Sequence, residues 1–238
     1  MHATDALLAN ELFPVEISDM VTLTIGVCSL QGAFREHIEK LESLKMEFIT
    51  VVEVRDASVI STLDGLIIPG GESTAMRIIA EYDGFVQAIR KFVESGKPCW
   101  GTCAGCILLS DSVSAALGGG RLGSKDDPSI DVTEPGVVGG LPMVTCRNYF
   151  GRQSQSFETS TQGEGVFDSF PAVFIRAPAI LQVSPDVQVL ATIFHQNKQV
   201  IVAVCKNNLL ATCFHPELSN DIRIHKYFIS MFRLNCWV

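Results

Sequence analysis

Basic residues are scarce in this sequence, and long apolar runs are absent from it. The 238 residues include 18 Lys and Arg against 26 Asp and Glu, which gives a formal net charge of −8. Without a block of positive charge, the chain lacks the electrostatic footprint of proteins that bind nucleic acid or anionic membranes. Apolar runs such as Leu66–Ile68 and Ile201–Val204 are far shorter than the roughly 20 residues of a membrane-spanning helix. We therefore expect a small or neutral partner, and neither nucleic acid nor a membrane.

The N-terminus also lacks the pattern of a secretory signal. Residues 1–20 carry four acidic side chains and contain neither a basic segment nor a long apolar core. We expect a tail or extension there, and a cytoplasmic protein. The eight cysteines agree with this location, because several lie in apolar, strand-like runs rather than in a small loop-rich scaffold. That distribution favours free thiols in a reducing compartment.

Strand-like and helical patterns alternate through the first half of the chain. This alternation, with buried β-branched runs, predicts βαβ units and a parallel sheet covered on both faces. The fold class expected is α/β, a single-domain three-layer, doubly wound mixed sheet that is mostly parallel and flanked by helices. The segments are Thr22–Leu30, Phe34–Leu44, Glu47–Val54, Leu63–Pro69, Met76–Ser95 and Pro98–Gly101.

The second half changes character. After a short helix at Ala104–Ser110, the glycine-rich stretch of about residues 111–140 is predicted to be a surface insertion, either idle or acting as a lid or partner contact. Short strands at hairpin-like spacing follow, and the helix Asp221–Phe232 closes one domain that spans residues 21–238. These strands are Val144–Arg147, Val173–Ile175, Val187–Phe194, Val200–Lys206 and Leu209–Phe214.

A sharp strand-to-helix turn is predicted at Gly101–Gly105. Small residues flank Cys103 there, as in the elbow that exposes a nucleophile at the end of a strand. A thiol at a helix N-terminus feels the positive end of the helix dipole, which favours the thiolate. The backbone N–H of Ala104 would also face an oxyanion formed by attack. A buried cysteine in such a turn can equally be a small apolar side chain, so the turn alone leaves both interpretations open.

The same turn contains a C-x-x-C pattern, Cys103 to Cys106. That spacing occurs in dithiol redox pairs and in half of a zinc site. Because no second C-x-x-C and no neighbouring histidine completes four ligands, we expect no metal. A thiol-based redox or regulatory module remains as the alternative outside hydrolytic enzymes.

Of the five histidines, His215 has the most informative context. It follows an apolar, strand-like run and precedes Pro216, which favours an extended conformation, so His215 and Glu217 are predicted to project to the same side. A carboxylate beside an imidazole fixes its tautomer and stabilises the imidazolium, which suggests Cys-His-Glu catalysis. His37 and His225 lie on helical patterns without a companion feature and are interpreted as solvated or core residues.

A glycine turn, Pro69-Gly70-Gly71-Glu72-Ser73, ends another buried strand. Backbone N–H groups at two glycines can approach an oxyanion or a ligand carboxylate closely. The turn lacks the Gly-Lys-Ser/Thr ending of a phosphate-binding loop. Without the other motifs, Pro-Gly-Gly would be interpreted as a simple strand-ending turn.

Together, the motifs Pro69–Ser73, Gly101–Gly105 and His215–Glu217 resemble those of the class I glutamine amidotransferases. Four further segments narrow the resemblance to the glutaminase subunits of pyridoxal 5′-phosphate synthase: Ser29–Gly32, Arg147–Gln153, Ser156-Phe157 and Phe174–Pro178. The resemblance implies hydrolysis of L-glutamine to glutamate and ammonia without a cofactor. It also implies that the ammonia passes to a separate, barrel-shaped synthase subunit.

The resemblance assigns a role to each candidate residue. Cys103 would be the nucleophile, His215 the general base and acid, and Glu217 the residue that orients the imidazole. The oxyanion hole would be formed by the N–H groups of Gly71 and Ala104, and Gln31 would lie at the synthase interface. The implied substrate contacts are Gly71, Glu72, Ser73, Arg147, Ile175 and Arg176.

Two alternatives stay open at the level of the residues. Arg147 and Arg176 are also compatible with surface ion pairs, and Glu72 with a charge in the first turn of a helix. A cysteine hydrolase of the same fold that acts on peptides or other amides is the alternative among enzymes.

Overall fold

The computed structural model describes residues 22–71, 84–114, 132–147, 149–150 and 156–232. The tail predicted over residues 1–20, the middle of the glycine-rich stretch and the start of the helical pattern Met76–Ser95 lie outside these residues. So do Glu72 and Ser73 of the glycine turn. Among the helices of the described ranges, none has the length and apolar character needed to cross a bilayer.

Five parallel strands form the half of the main sheet that carries the candidate site. They are β1 (Leu23–Cys28), β2 (Ile49–Val54), β3 (Gly65–Ile68), β4 (Cys99–Thr102) and β14 (Leu209–Thr212). Their order across the sheet is β2-β1-β3-β4-β14, and each neighbouring pair is parallel. Every residue of β3, β4 and β14 is buried, which explains why these segments are continuous apolar runs.

Four helices cover the sheet in the described part of the chain. They are α1 (Phe34–Ser43), α2 (Phe85–Glu94), α3 (Ala104–Leu109) and α4 (Arg223–Ser230). Helix α1 buries His37 and Leu41, four residues apart on one face. That helix contacts β1, β2 and the short 3₁₀ turn Pro216–Leu218, so its buried face reaches the turn that carries Glu217.

The remaining strands extend the sheet and add a smaller one. Their bounds are β5 Ser110–Ser114, β6 Val132–Pro135, β7 Leu141–Cys146, β8 Phe157–Ser160, β9 Gln162–Gly163, β10 Pro171–Phe174, β11 Ala179–Val183, β12 Gln188–His195 and β13 Lys198–Lys206. Beyond β14 the order of the main sheet continues as β13-β11-β7-β5-β6, and β12 pairs with β13 and β9. Strands β8 and β10 form a separate two-stranded sheet.

The expected α/β fold, a mostly parallel mixed sheet flanked by helices, is confirmed. Its antiparallel pairs lie in the second half of the chain, where the sequence spaces the strands as hairpins. One feature differs from expectation, because the two ends of the supposed surface insertion are strands β5 and β6, paired with each other and, through β5, with β7. Partners in the sheet, rather than local composition, set the structure of these ends.

Candidate active site

Three turns meet where the parallel strands β3, β4 and β14 end. The glycine turn follows β3, Cys103 follows β4, and His215 lies three residues beyond β14. The three strands are adjacent and parallel in the order β3-β4-β14. Their carboxyl ends therefore share one edge of the sheet, the place where open α/β sheets carry their ligand sites.

The strand-to-helix turn holds Cys103 in an unusual backbone conformation. Its φ is 46° and its ψ −102°, and α3 begins at the next residue. A positive φ is costly for a residue with a side chain, and the Cys103 N–H is fixed by donating to the Thr212 carbonyl at 2.8 Å. A Cβ at Gly105 would lie 2.0 Å from the Ile68 carbonyl oxygen, and one at Gly101 would lie 2.4 Å from the Gly105 carbonyl oxygen. Both flanking glycines are thus required by close backbone contacts.

Cys103 and His215 meet beside Gly70. A Cβ placed on Gly70 would lie 2.9 Å from Cys103 Cβ and 2.5 Å from His215 Cε1, so both side chains press against the same residue. The proximity of Cys103 raises the pKa of the His215 imidazole. The Cys103 thiol also lies 4.0 Å from the Ile175 carbonyl oxygen, and its side chain is almost fully buried, with 5% exposure for the residue.

The imidazole of His215 is held from behind by Glu217. Nδ1 of His215 and Oε1 of Glu217 are 2.7 Å apart, and both residues are buried. The backbone N–H of His215 donates to the Val173 carbonyl at 2.8 Å. The geometry brings thiol, imidazole and carboxylate into the linear order that nucleophilic catalysis by cysteine requires.

The surroundings of His215 and Glu217 favour the charged forms of both side chains. Burial disfavours the charged imidazolium, but hydrogen bonds and attraction from Cys103 and Glu217 outweigh it and raise the pKa of His215 to about 10. Burial also opposes ionisation of Glu217, yet attraction to His37 and the hydrogen bond with His215 keep the pKa of this carboxyl well below its usual range. His215 is therefore protonated at neutral pH, between a sulfur and a carboxylate.

Comparison with known proteins gives the chain its family. The model of the SNO glutamine amidotransferase family matches residues 27–234. The chain belongs to this family.

Two relatives of this chain are named as subunits of pyridoxal 5′-phosphate synthase. The probable PDX2 subunit of Arabidopsis thaliana is 44% identical, covering 88% of this chain and 86% of the relative; PdxT of Shouchella clausii is 42% identical, covering 88% and 95%.

A solved structure leads to the same family. A protein whose crystal structure is described as that of a glutamine amidotransferase is 38% identical to this chain and superposes with a TM-score of 0.70, over 88% of this chain and 98% of that one. PurLQS from Thermotoga maritima, 16% identical with a TM-score of 0.53 over 90% of this chain and 99% of the other, shares the fold alone. The resemblance to the glutamine amidotransferases is thus confirmed over most of the chain.

The structure also describes the surroundings of the other predicted site residues. Ile175 contacts the Cys103 thiol through its carbonyl, and Arg176 follows it with an exposed side chain and a φ of 49°. Arg147 forms an ion pair with Glu134, at 3.3 Å between nitrogen and oxygen. Gly71 is the last described residue of its turn, and Ala104 is the first residue of α3.

Gln31 lies in the loop that touches the glycine turn. A Cβ on its neighbour Gly32 would lie 1.6 Å from the Gly70 carbonyl oxygen, and the Ala33 N–H donates to that oxygen at 3.3 Å. The loop that carries Gln31 is therefore in direct contact with Gly70, the residue against which Cys103 and His215 both pack.

The second cysteine of the C-x-x-C pattern contacts a cysteine outside that pattern. Cys106 Sγ lies 3.9 Å from Cys213 Sγ, and both residues are fully buried. Burial, together with the nearby Cys106, raises the pKa of the Cys213 thiol well above its usual value. A buried protonated thiol is a poor partner for disulfide exchange, which weakens the case for a redox module.

Two histidines that no sequence motif associates with the triad lie directly behind it. His37 Nε2 lies 3.2 Å from Glu217 Oε2 and 3.3 Å from Thr102 Oγ1, and His37 Nδ1 lies 3.1 Å from His225 Nε2. Both histidines are fully buried. The signal in the sequence was weak: His37 precedes the apolar Leu41 by four residues, which places it on the buried stripe of its helix.

Proposed function

We propose that this chain hydrolyses L-glutamine to L-glutamate and ammonia, with Cys103, His215 and Glu217 as its catalytic triad. The observation that carries the proposal is the packing of Cys103 and His215 together against Gly70, with Glu217 behind the imidazole. Membership of a glutamine amidotransferase family supplies the substrate class.

The reaction proceeds in two steps without a metal. The Cys103 thiolate attacks the side-chain amide carbon of glutamine, and the resulting oxyanion accepts hydrogen bonds from the N–H groups of Ala104 and Gly71. His215 protonates the departing nitrogen, so ammonia leaves and a thioester remains. His215 then takes a proton from water, whose hydroxide cleaves the thioester and restores the free thiol and glutamate.

Residues around Cys103 are assigned to recognition of the α-ammonium and α-carboxylate groups of glutamine. The α-ammonium group of glutamine needs carbonyl or carboxylate acceptors, and the Ile175 carbonyl near the nucleophile offers one. Its α-carboxylate needs a cation, for which Arg147 and Arg176 are the candidates. Glu72 and Ser73 are further candidate contacts with other parts of the glutamine. Since Arg147 is paired with Glu134, its contact with glutamine would have to exchange or share that partner.

The ammonia is delivered to a partner. The relatives with 42% and 44% identity are named as subunits of pyridoxal 5′-phosphate synthase, so we assign this chain to such an assembly in the cytoplasm, where a barrel-shaped synthase subunit accepts the ammonia. Gln31 is assigned to the interface because the adjacent Gly32 and Ala33 contact the Gly70 carbonyl. A subunit docked on this loop would press on the glycine turn beside the nucleophile.

The decisive experiment is ammonia release from glutamine by the wild type and by Cys103→Ala, each with and without the purified synthase subunit. We expect the substitution to abolish turnover and to leave the circular dichroism spectrum unchanged, since the nucleophile is lost and a small side chain remains. Cys106→Ser serves as the matched control and should retain turnover. Turnover by Cys103→Ala would refute the triad, and preferential hydrolysis of a peptide panel would favour the other amide hydrolases of this fold.

A further inference from the structure

A buried layer of polar side chains lies directly behind the triad. Glu217 presents its two carboxylate oxygens to different groups: Oε1 accepts from His215, and Oε2 faces His37 Nε2 at 3.2 Å. His37 belongs to α1, so this contact joins a separate helix to the catalytic turn. Within the described part of the chain, Oε2 accepts no hydrogen bond with a favourable angle; the contact with His37 is its close electrostatic partner.

The proton on His37 can be placed by its neighbours. A buried carboxylate oxygen 3.2 Å from Nε2 would repel a lone pair there, so Nε2 carries the hydrogen. In the neutral ring Nδ1 is then an acceptor, and it receives the Nε2–H of His225 at 3.1 Å. Burial holds the pKa of His225 well below its usual value, so that ring is neutral.

Placing the hydrogen of His225 on Nε2 also agrees with the surroundings of its other ring nitrogen, Nδ1. His225 Nδ1 is buried and has no hydrogen-bond partner among the described residues. With the hydrogen on Nε2, the unpartnered atom is a lone pair rather than an N–H group, and orphaned buried N–H groups are rare in proteins. Trp100 packs its ring edge-on against both imidazoles, with centroids 5.3 Å and 5.0 Å away, which restricts their rotation.

His37 also reaches the glycine turn through one hydroxyl. Its Nε2 lies 3.3 Å from Thr102 Oγ1, and the same hydroxyl oxygen accepts the Gly70 N–H at 3.0 Å. His37 Nε2 is therefore hydrogen-bonded to the hydroxyl that fixes Gly70 and lies within 3.2 Å of the Glu217 carboxylate as its electrostatic partner. A single imidazole contacts the supports of both His215 and the glycine turn.

We propose that His37 is a positioning residue, a fourth member of the array whose Nε2–H fixes Glu217 and, through it, the orientation of His215. His225 sets the tautomer of His37 by donating to Nδ1. The inference rests on the proposed glutaminase function, since it assigns His37 a part in that same reaction. His37 does not touch the substrate, so its effect falls on the rate of the chemical steps.

The test compares three substitutions of His37: two introduce a side-chain amide at different positions, and the third introduces an apolar side chain. Glutamine can place its side-chain amide near the position of the imidazole Nε2, whereas asparagine matches Nδ1, and leucine fills the space without a donor. For His37→Leu and His37→Asn we expect kcat for glutamine to fall about tenfold or more, with KM changed by less than about twofold, because a misoriented imidazole slows proton transfer without altering binding. His37→Gln should recover most of kcat.

Leu41→Ala, one turn along the same buried face, is the control for loss of packing. It should lower the melting temperature while kcat stays within about twofold of the wild type. Equal kcat values for His37→Gln and His37→Asn would overturn the proposal, as would a kcat for His37→Leu equal to that of the wild type. Wild-type protein that releases no ammonia in the presence of the synthase subunit would instead refute the proposed function.

A measurement on the unmodified protein keeps the proposal testable even if these variants do not fold. Two-dimensional ¹H–¹⁵N spectra of the wild type report the tautomer of each imidazole. We expect the protonated nitrogen of neutral His37 and that of His225 to be Nε2. A neutral His37 ring protonated at Nδ1 would overturn the proposal without reference to activity.

Discussion

Cys103 holds its position at the expense of backbone strain. A side chain at a φ of 46° costs on the order of 1–3 kcal/mol relative to a common backbone conformation. The Cys103 N–H donates to Thr212 of β14, the strand that leads to His215. The bond that stabilises the strained residue therefore also ties the nucleophile to the strand that delivers its base.

The protonation of His215 provides a direct test of this pairing. Two of the interactions that raise its pKa to about 10 are made with Cys103, and burial opposes them. We expect Cys103→Ala to lower the midpoint of His215, measured from the Cε1–H resonance in an NMR titration and assigned with His215→Asn. The same midpoint in wild type and Cys103→Ala would mean that the sulfur does not act on the imidazole.

The sign of the linked stability change follows from the same shift. Because the pKa of folded His215 lies above the usual value of 6.5, its contribution to the free energy of unfolding is complete below about pH 6.5 and is lost as the pH rises towards 10. In Cys103→Ala the pKa of folded His215 is lower, so the pH range over which this contribution is lost ends at a lower pH. Chemical denaturation between pH 6.5 and 10 should therefore show a smaller decrease in the free energy of unfolding for the variant than for the wild type.

The sequence allows the grouping of Cys103, His215 and Glu217 to be predicted, but not the layer of polar side chains behind them. Cys103, His215 and Glu217 lie in short local patterns whose chemistry is evident from adjacent residues. His37 becomes significant only because α1 packs against the turn Pro216–Leu218, a contact between segments about 180 residues apart along the chain. An isolated histidine on a helix has no local signature that distinguishes a core residue from a partner of a catalytic carboxylate.

The turn between β4 and α3 depends on glycine for the approach of two backbones. A Cβ at Gly105 would lie 2.0 Å from the carbonyl oxygen of Ile68 in β3, and neither backbone can yield as a flexible side chain would. The first turn of α3 therefore packs directly on β3. This packing fixes the distance between Cys103 and the glycine turn that follows β3.

We expect Gly105→Ala to displace α3 from β3 and to reduce ammonia release about 100-fold, because the nucleophile moves with the helix. The added methyl group should also lower the free energy of unfolding by about 1–3 kcal/mol, as overpacked cores do. Thermal melts and activity per folded molecule measure the two effects.

Gly96→Ala is the matched control for Gly105→Ala. A Cβ at Gly96 meets nothing within 4 Å, although its φ of +75° adds backbone strain. It should lower stability modestly and leave activity intact. If both variants retained full activity, the close packing of α3 on β3 would not be what positions Cys103.

Prediction of individual elements fails where local composition and sheet context disagree. Strand β5, Ser-Asp-Ser-Val-Ser, has little intrinsic preference for a strand. It is a strand because β6 and β7 pair with its two edges and because the Ser110 hydroxyl donates to the Met143 carbonyl at 3.0 Å. The apolar strands β3 and β4, by contrast, are predictable within a few residues, since burial on both faces requires continuous apolar runs.

The main sheet and the small sheet of β8 and β10 contribute different parts of the candidate site. The parallel half supplies all three turns, because parallel neighbours end at a common edge. The later strands contribute Ile175 and Arg176 just after β10, and the Val173 carbonyl that accepts the His215 N–H. The triad therefore lies between the main sheet and the small β8–β10 sheet, and its geometry depends on how both are packed.

The dependence of activity on the synthase subunit is the prediction that concerns the whole molecule. Ammonia released without an acceptor would be lost to solvent, and the loop at Gln31 touches the Gly70 carbonyl at the sheet edge that carries the nucleophile. We expect low ammonia release by the isolated chain and a clear increase in kcat when the synthase subunit is added. Gln31→Ala should reduce that increase more than it reduces the activity of the chain alone, because its effect passes through the interface. Full activity of the isolated chain, unchanged by an excess of the synthase subunit, would show instead that the glycine turn is already set without docking.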